Sequence, residues 1–380
     1  MIHESALRRF EVPRTIVQGG GCRSQLPALV RELGGTRVLV VTDPGVVQRG
    51  VADEIVSLLT PAGVHVAVFD GVQADPTDEN VAAGVMALQA HAADSIVALG
   101  GGSPIDTAKV IAIRLANPQP LPELMGLHKI AHAGLPLIAV PTTAGTGSEA
   151  SKVAVITDTV RQVKMMMLSV PLLPRAAVID YELTLSMPPD LTAAVGVDTL
   201  THGIEAYVSR KANALTDPLA LQCIALCARH LRTAWHEPGN HTAREGMMLA
   251  ATLGGMAFSN SSVGLVHGMS RPIGAVFHLP HGLSNAILLP TVTRFSLAAA
   301  PERYAIIART VGCDSLIPWL EALNTDLELP RLAQCRGVER AHFEAEVEKM
   351  ATDALASGSP ANNPRVPTAQ EIVTLYHEAW

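Results

Sequence analysis

Four short apolar runs, separated by segments long enough for helices, occupy the first half of the chain. They are TRVLVVTD, VHVAVFD, DSIVALGGG and LPLIAVPTT, at residues 36–43, 64–70, 94–102 and 135–143. Helix-length segments lie between the first three runs, as at residues 53–59 and 80–91. Strand, helix and strand at this spacing predict a parallel sheet with crossover helices. The runs KVAVIT and 163–170 predict a pairing ribbon at one edge of that sheet.

The strand pattern stops near Ser186, and helical patterns continue to Trp380. Breaks between helices are predicted at prolines, as at Asp217-Pro218, Leu279-Pro280 and Ala300-Pro301. We therefore predict an α/β domain over residues 1–185 and an all-helical domain over residues 186–380. The cleft between two such domains is the expected ligand-binding site.

Composition limits the partners and the compartment. The net charge is −7 and no Lys/Arg block occurs, which argues against nucleic acid and anionic membranes. The five cysteines are odd in number and scattered, and the N-terminus lacks the apolar core of a signal peptide, so we expect a cytoplasmic protein. Residues 246–266 carry no charge but contain glycine, serine and asparagine, which predicts a buried helix and a turn rather than a membrane span.

A glycine loop follows the third apolar run. Gly100, Gly101 and Gly102 allow backbone N–H groups to approach a phosphate without interference from Cβ atoms. The next residues match a capping box, with Ser103 at the N-cap and Asp106 at the third helical position, so a helix is expected to begin here. A helix N-terminus attracts anions. The alternative is a capped turn without a ligand, because neither common nucleotide fingerprint is present.

A second loop of small residues, PTTAGTGSE at residues 141–149, follows the fourth apolar run. Its hydroxyl groups belong to Thr142, Thr143, Thr146 and Ser148. Both loops follow strands, as expected of the ligand-binding edge of an open α/β sheet. An ordinary loop is the alternative.

Asp198 and His202 stand four residues apart on a predicted helix and share one face of it. Histidines also occur among apolar residues further on, at positions 267, 278 and 281. One carboxylate with several imidazoles suits Zn²⁺ or Fe²⁺. Spacing alone does not choose between His278 and His281, and interior histidines without a metal are the alternative. Glu205 is either an acceptor that orients a ligand or a partner in an ordinary helix ion pair.

Four motifs together resemble the iron-containing alcohol dehydrogenases. They are GGGSPIDTAK (100–109), PTTAGTGSE (141–149), GVDTLTHGIEAY (196–207) and the segment from VHGM to PHGLSNAILLP (266–290), and the ending at residues 361–376 is also similar. The resemblance covers nearly the whole chain in order. It implies an N-terminal dinucleotide-binding α/β domain, a C-terminal helical domain, and a divalent metal, usually Fe²⁺ and sometimes Zn²⁺.

The same resemblance implies roles for individual residues. The metal ligands would be Asp198, His202, His267 and His281, which excludes His278. The glycine loop would carry the pyrophosphate of NAD(H), and Thr142, Thr143, Lys164 and Leu183 would lie along the cofactor. Asp43 matches the acid that holds the adenosine ribose in members that prefer NAD; a turn-initiating aspartate before Pro44 is the alternative.

The chain departs from the family pattern at two positions. Arg271 stands where many members have a second histidine, four residues after the third ligand, and Tyr181 stands where Asp-Pro is usual. A guanidinium near a metal cation needs an anion nearby. We therefore expect either a substrate with an anionic end that contacts Arg271, or an ion pair between Arg271 and Glu205.

The predicted activity is hydride transfer between NAD(H) and a small alcohol or carbonyl compound, with the metal acting on the oxygen. We expect a homodimer or a larger homo-oligomer. Two alternatives are a metal-independent reductase similar to maleylacetate reductases and a non-catalytic binding protein on the same scaffold. The intact ligand set argues against both.

Overall fold

The computed structural model describes Leu7, residues 9–161 and residues 163–380. The chain divides between Leu185 and Ser186 into two compact units, and Arg9 and Phe10 group with the second unit. The predicted domain ranges, 1–185 and 186–380, differ from these units at Arg9 and Phe10 and stay predictions. Residues 1–6 and 8 of the predicted first domain lie outside the described part of the chain. The nucleotide-binding and metal-binding roles of the two parts stay predictions.

The unit Glu11–Leu185 alternates strands with helices. Its strands are β1 (Thr15–Gln18), β2 (Arg37–Val41), β3 (His65–Phe69), β4 (Ser95–Gly100), β5 (Gly126–Leu127), β6 (Leu137–Pro141), β7 (Val153–Asp158), β8 (Val163–Leu168) and β9 (Ala176–Ile179). Its helices are α1 (Leu26–Glu32), α2 (Pro44–Gln48), α3 (Val51–Leu59), α4 (Asp78–His91), α5 (Gly102–Arg114) and α6 (Leu121–Leu124). All four predicted apolar runs are strands.

Six strands form one parallel sheet in the order β1-β9-β6-β4-β2-β3. Alternate residues of its central strands pack on opposite faces: Leu39 and Ile96 meet the apolar side of α4 and α5, whereas Val40 and Val97 meet that of α1 and α3. A strand covered by helices on both faces needs apolar residues at every position. That requirement explains why these strands read as continuous apolar runs.

Two details of the sheet differ from the prediction. The ribbon predicted at a sheet edge exists, as β7 paired antiparallel with β8, but together with β5 it forms a separate three-stranded sheet. The strands β1 and β9 were not predicted. Each has only four residues, and β1 alternates between half-buried and exposed positions, so neither produces a long apolar run.

The unit Ser186–Trp380 is helical in its described part. Its helices are α7 (Pro189–Val208), α8 (Asp217–His236), α9 (His241–Asn260), α10 (Leu265–Phe277), α11 (His281–Ser296), α12 (Pro301–Val311), α13 (Leu316–Asp326), α14 (Arg340–Ala356) and α15 (Ala369–Ala379). The predicted breaks at Asp217, Pro280 and Pro301 fall at helix starts. The predicted fold class, an α/β part followed by a helical part, is confirmed.

The uncharged stretch at residues 246–266 belongs mainly to α9, with a turn before α10, as predicted. No single helix in the described ranges is long and apolar enough to cross a membrane. The pair formed by α9 and α10 meets the length and composition requirement only jointly, with a bend of 104° between the two helices.

Helix α10 is held in place by residues near the end of the chain. The Leu265 amide donates to Asn363 Oδ1 at 3.4 Å, and the Tyr376 hydroxyl donates to the Met269 carbonyl oxygen at 2.7 Å. Both partners come from segments that follow α14, about a hundred residues further along the chain. The position of α10 therefore depends on the C-terminal segment.

Candidate functional site

Three helices of the second unit bring an aspartate and three histidines together. Helix α7 carries Asp198 and His202, α10 carries His267, and α11 begins with His281. One ligand atom each of Asp198, His267 and His281 lies within 4.8 Å of the other two. His202 Nε2 is 3.8 Å from Asp198 Oδ1, and its ring stacks on that of His267 with centroids 4.7 Å apart. All four predicted ligands thus stand in one cluster.

A glycine brings α11 close enough to α7 for this cluster to form. A Cβ atom on Gly282 would lie 2.6 Å from the Ala194 carbonyl oxygen, which belongs to the α7 backbone. Ala194 is one helical turn before Asp198, and Gly282 follows His281 directly. The missing side chain at position 282 therefore sets the spacing between Asp198 and His281.

Glu205 orients His267 and the start of its helix. One of its oxygens, Oε2, accepts from His267 Nδ1 at 2.7 Å and from the Gly264 amide at 2.7 Å, and Oε1 accepts from the Val266 amide at 2.6 Å. A carboxylate only accepts, so Nδ1 carries the hydrogen and Nε2 faces Asp198 at 3.5 Å. Of the two roles considered for Glu205, the structure has the acceptor, and the residue that it orients is His267, a predicted ligand.

The charges of the cluster support one another. Burial would raise the pKa of Asp198, but the histidines His202, His267 and His281 together hold that pKa well below its ordinary value. Burial would lower the pKa of His267, but the carboxylates of Glu205 and Asp198 outweigh it and raise that pKa to about 9. Asp198 is therefore ionised at neutral pH, and a cation that binds Nε2 of His267 must displace a proton.

Asn285 also faces the cluster, and the sequence analysis missed it. It is buried on α11, one turn after His281. Its Nδ2 atom lies 2.6 Å from Asp198 Oδ1, 3.3 Å from His267 Nε2 and 3.2 Å from His281 Nε2. The available signal was the spacing of four residues from His281, which places both side chains on one helix face.

His278 and Arg271 lie outside the cluster. His278 is exposed and ends α10 with a left-handed backbone, φ 55°. Arg271 is half-buried on α10, and its Nη1 donates to Ser359 Oγ at 2.9 Å. Helix α10 continues through Pro272, so Arg271 follows His267 by one turn. Within the described ranges no ion pair joins Arg271 to a carboxylate, and the expected pair with Glu205 is absent.

In the first unit the glycine loop starts a helix, but not with the predicted cap. Helix α5 begins at Gly102, its N-cap is Gly101, and no side chain caps it. The prediction of Ser103 as N-cap was wrong by two residues, because the glycines themselves adopt the cap conformation. Gly100 has φ 146°, a conformation that side chains disfavour, and a Cβ there would meet Pro104 at 2.6 Å.

The glycine loop and the threonine loop touch each other, since β4 and β6 are neighbours in the sheet. The Thr142 amide donates to the Gly100 carbonyl oxygen at 2.9 Å. A Cβ atom on Gly101 would lie 3.4 Å from Thr143 Oγ1, and one on Gly102 would lie 3.0 Å from Thr146 Cγ2. The two predicted cofactor loops thus form one surface.

A buried lysine network joins α5 to the threonine loop and to β7. Ser148 Oγ donates to Asp106 Oδ1 at 2.5 Å, and the second Asp106 oxygen accepts from the Val155 amide at 2.9 Å. Lys109 Nζ donates to Ser148 Oγ and to the Val153 carbonyl oxygen, each at 2.7 Å. Burial lowers the pKa of Lys109 to about 8, although Asp106 and Glu149 act in the opposite direction. Asp106 therefore links α5 to the threonine loop and to β7.

The remaining predicted cofactor residues differ in their surroundings. Asp43 is the N-cap of α2, where Oδ1 accepts from the Val46 amide at 2.9 Å, and its Oδ2 lies 3.3 Å from the Cβ position of Gly100. It therefore borders the glycine loop. Lys164 lies on β8, and its Nζ atom is 2.6 Å from Asp75 Oδ1. Leu183 is buried in the apolar cluster on the face of the sheet that α1 and α3 cover. Neither shows a contact with the glycine loop in the described structure.

A parallel sheet with a glycine loop, and a helical unit with an aspartate–histidine cluster, are the parts of a metal-using nucleotide oxidoreductase. The family model "Iron-containing alcohol dehydrogenase" matches residues 13–181, and the model "Fe-containing alcohol dehydrogenase family, C-terminal" matches residues 192–380. The chain belongs to the iron-containing alcohol dehydrogenase family. It is therefore an oxidoreductase that acts on CH–OH groups.

Individual relatives agree with this assignment. The 1,3-propanediol dehydrogenase of Klebsiella pneumoniae is 39% identical over an alignment of 384 positions that covers 98% of this chain and 98% of that protein. A solved 1,3-propanediol oxidoreductase is 37% identical, with a TM-score of 0.95 and coverage of 99% of this chain and 100% of the other. The structure of sulfoacetaldehyde reductase from Bifidobacterium kashiwanohense in complex with NAD⁺ is 27% identical, with a TM-score of 0.88 and coverage of 99% of both chains.

Proposed function

We propose that this enzyme is a metal-dependent alcohol dehydrogenase, or aldehyde reductase, that uses NAD(H) and a small substrate with an anionic end. The observation that carries the proposal is the convergence of Asp198, His202, His267 and His281, with His267 oriented by Glu205. A metal-independent reductase would not need such a cluster. The intact set therefore disfavours that alternative.

The donor set fits Fe²⁺ or Zn²⁺. One carboxylate and three imidazole nitrogens are borderline ligands of the kind both ions accept. Asp198 is ionised at neutral pH, and Glu205 keeps the hydrogen of His267 on Nδ1 so that Nε2 is the ligand atom. The chemistry that a bound divalent ion supplies is polarisation of the substrate oxygen, and that of bound NAD(H) is transfer of hydride at the adjacent carbon.

The first unit supplies the residues proposed for NAD(H). Gly100, Gly101 and Gly102 would receive the pyrophosphate at the start of α5, with Ser103, Asp106, Thr142, Thr143, Thr146, Ser148, Lys164 and Leu183 around the cofactor. The carboxylate of Asp43, beside Gly100, would accept the ribose hydroxyls and repel a 2′-phosphate. The NAD⁺ complex of the sulfoacetaldehyde reductase supports this choice of cofactor.

Arg271 is the residue proposed to select an anionic substrate. A guanidinium offers five N–H donors, and the described structure uses one of them, on Ser359. The neighbouring carboxylate of Glu205 is engaged by two amides and His267. A carboxylate or sulfonate end would accept a charge-assisted pair of hydrogen bonds from Arg271. The sulfoacetaldehyde reductase is a relative whose name specifies such an anion.

The activity is tested on the full chain after removal and return of the metal. We expect NADH oxidation with short aldehydes to disappear with a chelator and to recover with Fe²⁺ or Zn²⁺. Turnover that survives the chelator would favour the metal-independent reductase, and the absence of turnover with any carbonyl substrate would favour the binding protein.

The substrate class is tested by comparing butyraldehyde with 4-oxobutanoate, its four-carbon carboxylated counterpart. A charge-assisted contact is worth about 1.5–3 kcal/mol, so Arg271→His should lower the ratio of kcat/KM for the anionic over the neutral aldehyde by about 10- to 100-fold. Arg294→His, which removes an arginine from a surface pair with Glu321, is the matched control. An unchanged ratio in Arg271→His would show that Arg271 does not recognise substrate charge.

The cellular compartment and the oligomeric state of the enzyme are also proposals. All five cysteines are free and three of them are buried, which supports a reducing compartment such as the cytoplasm. We propose that the enzyme works there as a homo-oligomer. The oligomeric state is measured by light scattering of the purified chain.

A further inference from the structure

The hydrogen bonds of the buried Asn285 side chain match its surroundings poorly. Its Nδ2 atom faces three predicted ligand atoms, those of Asp198, His267 and His281, at 2.6 to 3.3 Å. An amide nitrogen has two hydrogens and accepts none, so at most two of these three contacts are hydrogen bonds that it donates. The Oδ1 atom of the same side chain is buried and accepts no hydrogen bond from any described residue.

The mismatch concerns which end of the Asn285 amide faces the cluster. Buried polar atoms in native proteins are nearly always paired. An unpaired amide oxygen beside an amide nitrogen that has more contacts than hydrogens therefore needs an explanation. The atoms around Nδ2 are the ones that converge on the proposed metal. The amide group therefore stands at the edge of that metal centre with its nitrogen inward and its oxygen away from it.

A bound divalent cation would reverse the preference of the amide. The N–H dipoles of Nδ2 point their positive ends at the cluster, where a cation repels them, whereas an amide oxygen is an ordinary oxygen ligand for such ions. Rotation of the terminal amide exchanges the two atoms with little change in volume. The two ends of Asn285 thus suit two different states of the site.

We propose that Asn285 is a further residue of the metal centre, with its amide oxygen turned toward the bound divalent cation and its nitrogen turned inward only without the cation. This inference rests on the proposed metal centre at Asp198, His202, His267 and His281. It assigns Asn285 a direct role toward the ion rather than a packing role in α11.

Two substitutions of similar size distinguish the oxygen from the nitrogen. Asn285→Asp keeps an oxygen toward the ion and removes the donor to Asp198, whereas Asn285→Leu removes both. If the oxygen matters, Asn285→Asp binds metal well, although its metal-free form is destabilised by two carboxylates side by side. If only the donor to Asp198 matters, both variants bind metal poorly.

The test is a titration of the metal-stripped full chain with Co²⁺ alone, followed by its visible absorption against a competing chelator. We expect the Kd of Asn285→Leu to exceed that of Asn285→Asp at least tenfold. Asn285→Ala replaces the leucine variant if that one does not fold, with the same expected ratio. Ser284→Ala, which removes a hydroxyl bonded to the Pro280 carbonyl oxygen on the same helix, is the control and should stay within threefold of wild type.

The outcomes separate this inference from the proposed function. Wild type that binds Co²⁺, with a leucine-to-aspartate ratio of Kd below ten, overturns the role of Asn285 and leaves the metal centre intact. Wild type that binds no Co²⁺, or whose His281→Ala variant binds it equally well, overturns the metal centre and this inference with it.

Discussion

Gly282 offers a direct test of how helix spacing builds the proposed metal centre. Ordinary van der Waals contact begins near 3.4 Å, and a Cβ atom at this position would lie 2.6 Å from the Ala194 carbonyl oxygen. The partner is helix backbone, which cannot rotate away as a side chain can. In Gly282→Ala, α11 must therefore retreat from α7 by about 0.8 Å at this point.

Such a shift is large for a metal centre and modest for a fold. Ligand distances are held within about 0.2 Å, so a retreat of about 0.8 Å takes His281 out of reach of an ion bound to Asp198. Overpacking costs about 1–3 kcal/mol, and alanine regains up to about 1 kcal/mol of helix propensity. We expect metal affinity to fall more than tenfold, while the free energy of unfolding falls by about 0–3 kcal/mol.

The assay is metal content together with Co²⁺ titration and thermal unfolding of the metal-free protein. Gly196→Ala is a matched control on α7, because its Cβ would meet Leu231 Cδ1 at 2.1 Å, the movable end of a side chain. It should cost stability but keep the metal. Gly239→Ala, in open space, should change neither. Gly282→Ala that binds metal within threefold of wild type would refute the spacing argument.

Three further predictions concern the ligands, the cofactor and pH. His267→Ala and His281→Ala should each lose at least nine-tenths of the bound metal by elemental analysis, whereas the exposed His278→Ala should keep it; the reverse pattern for His278 and His281 would refute the ligand set. Asp43→Gly should reduce the preference for NADH over NADPH in kcat/KM at least tenfold. Asp43→Ser is the control, because serine keeps a helix cap, worth about 1 kcal/mol, but removes the carboxylate. A wild-type preference for NADPH would contradict this prediction. Lys109 has a pKa of about 8 in the folded protein and about 10.5 in the unfolded chain, so between these pH values the unfolded chain binds more protons. The free energy of unfolding of wild type, relative to that of Lys109→Met, should therefore rise by up to about 3 kcal/mol from pH 8 to 10.5. A constant difference between the two proteins across that range would count against the buried charge.

The sequence was most informative where apolar residues of a strand, or proposed ligands on a helix, follow a regular spacing. The central strands of the sheet are buried on both faces, so nearly every residue is apolar and the runs were predictable. Asp198 and His202 share a helix face through their separation of four residues. The short strands β1 and β9 were missed because four half-covered or small residues carry no such pattern.

Contacts between distant segments could not be predicted in the same way. The capping box at Ser103 was a sound local pattern, but the glycines before it start the helix, and Asp106 instead receives hydrogen bonds from Ser148 and Val155. Asn285 gives a helix-face signal, yet its importance depends on where α10 and α7 lie. Such positions are set by packing between helices, which no single segment encodes.

The attachment of α10 also has a consequence for how the protein is made on the ribosome. The helix that carries His267 is secured by Asn363 and Tyr376, and Tyr376 is synthesised 107 residues after its partner Met269. At about 5–20 residues per second, some 5–20 s pass between the two. A nascent chain therefore contains all four proposed ligands before the residues that secure α10 are made, and a product that ends before Asn363 would carry the proposed ligands without that attachment. If the proposed metal centre needs this attachment, stable metal binding follows the synthesis of Tyr376, and copies truncated before Tyr376 should be recognisable by their lack of metal.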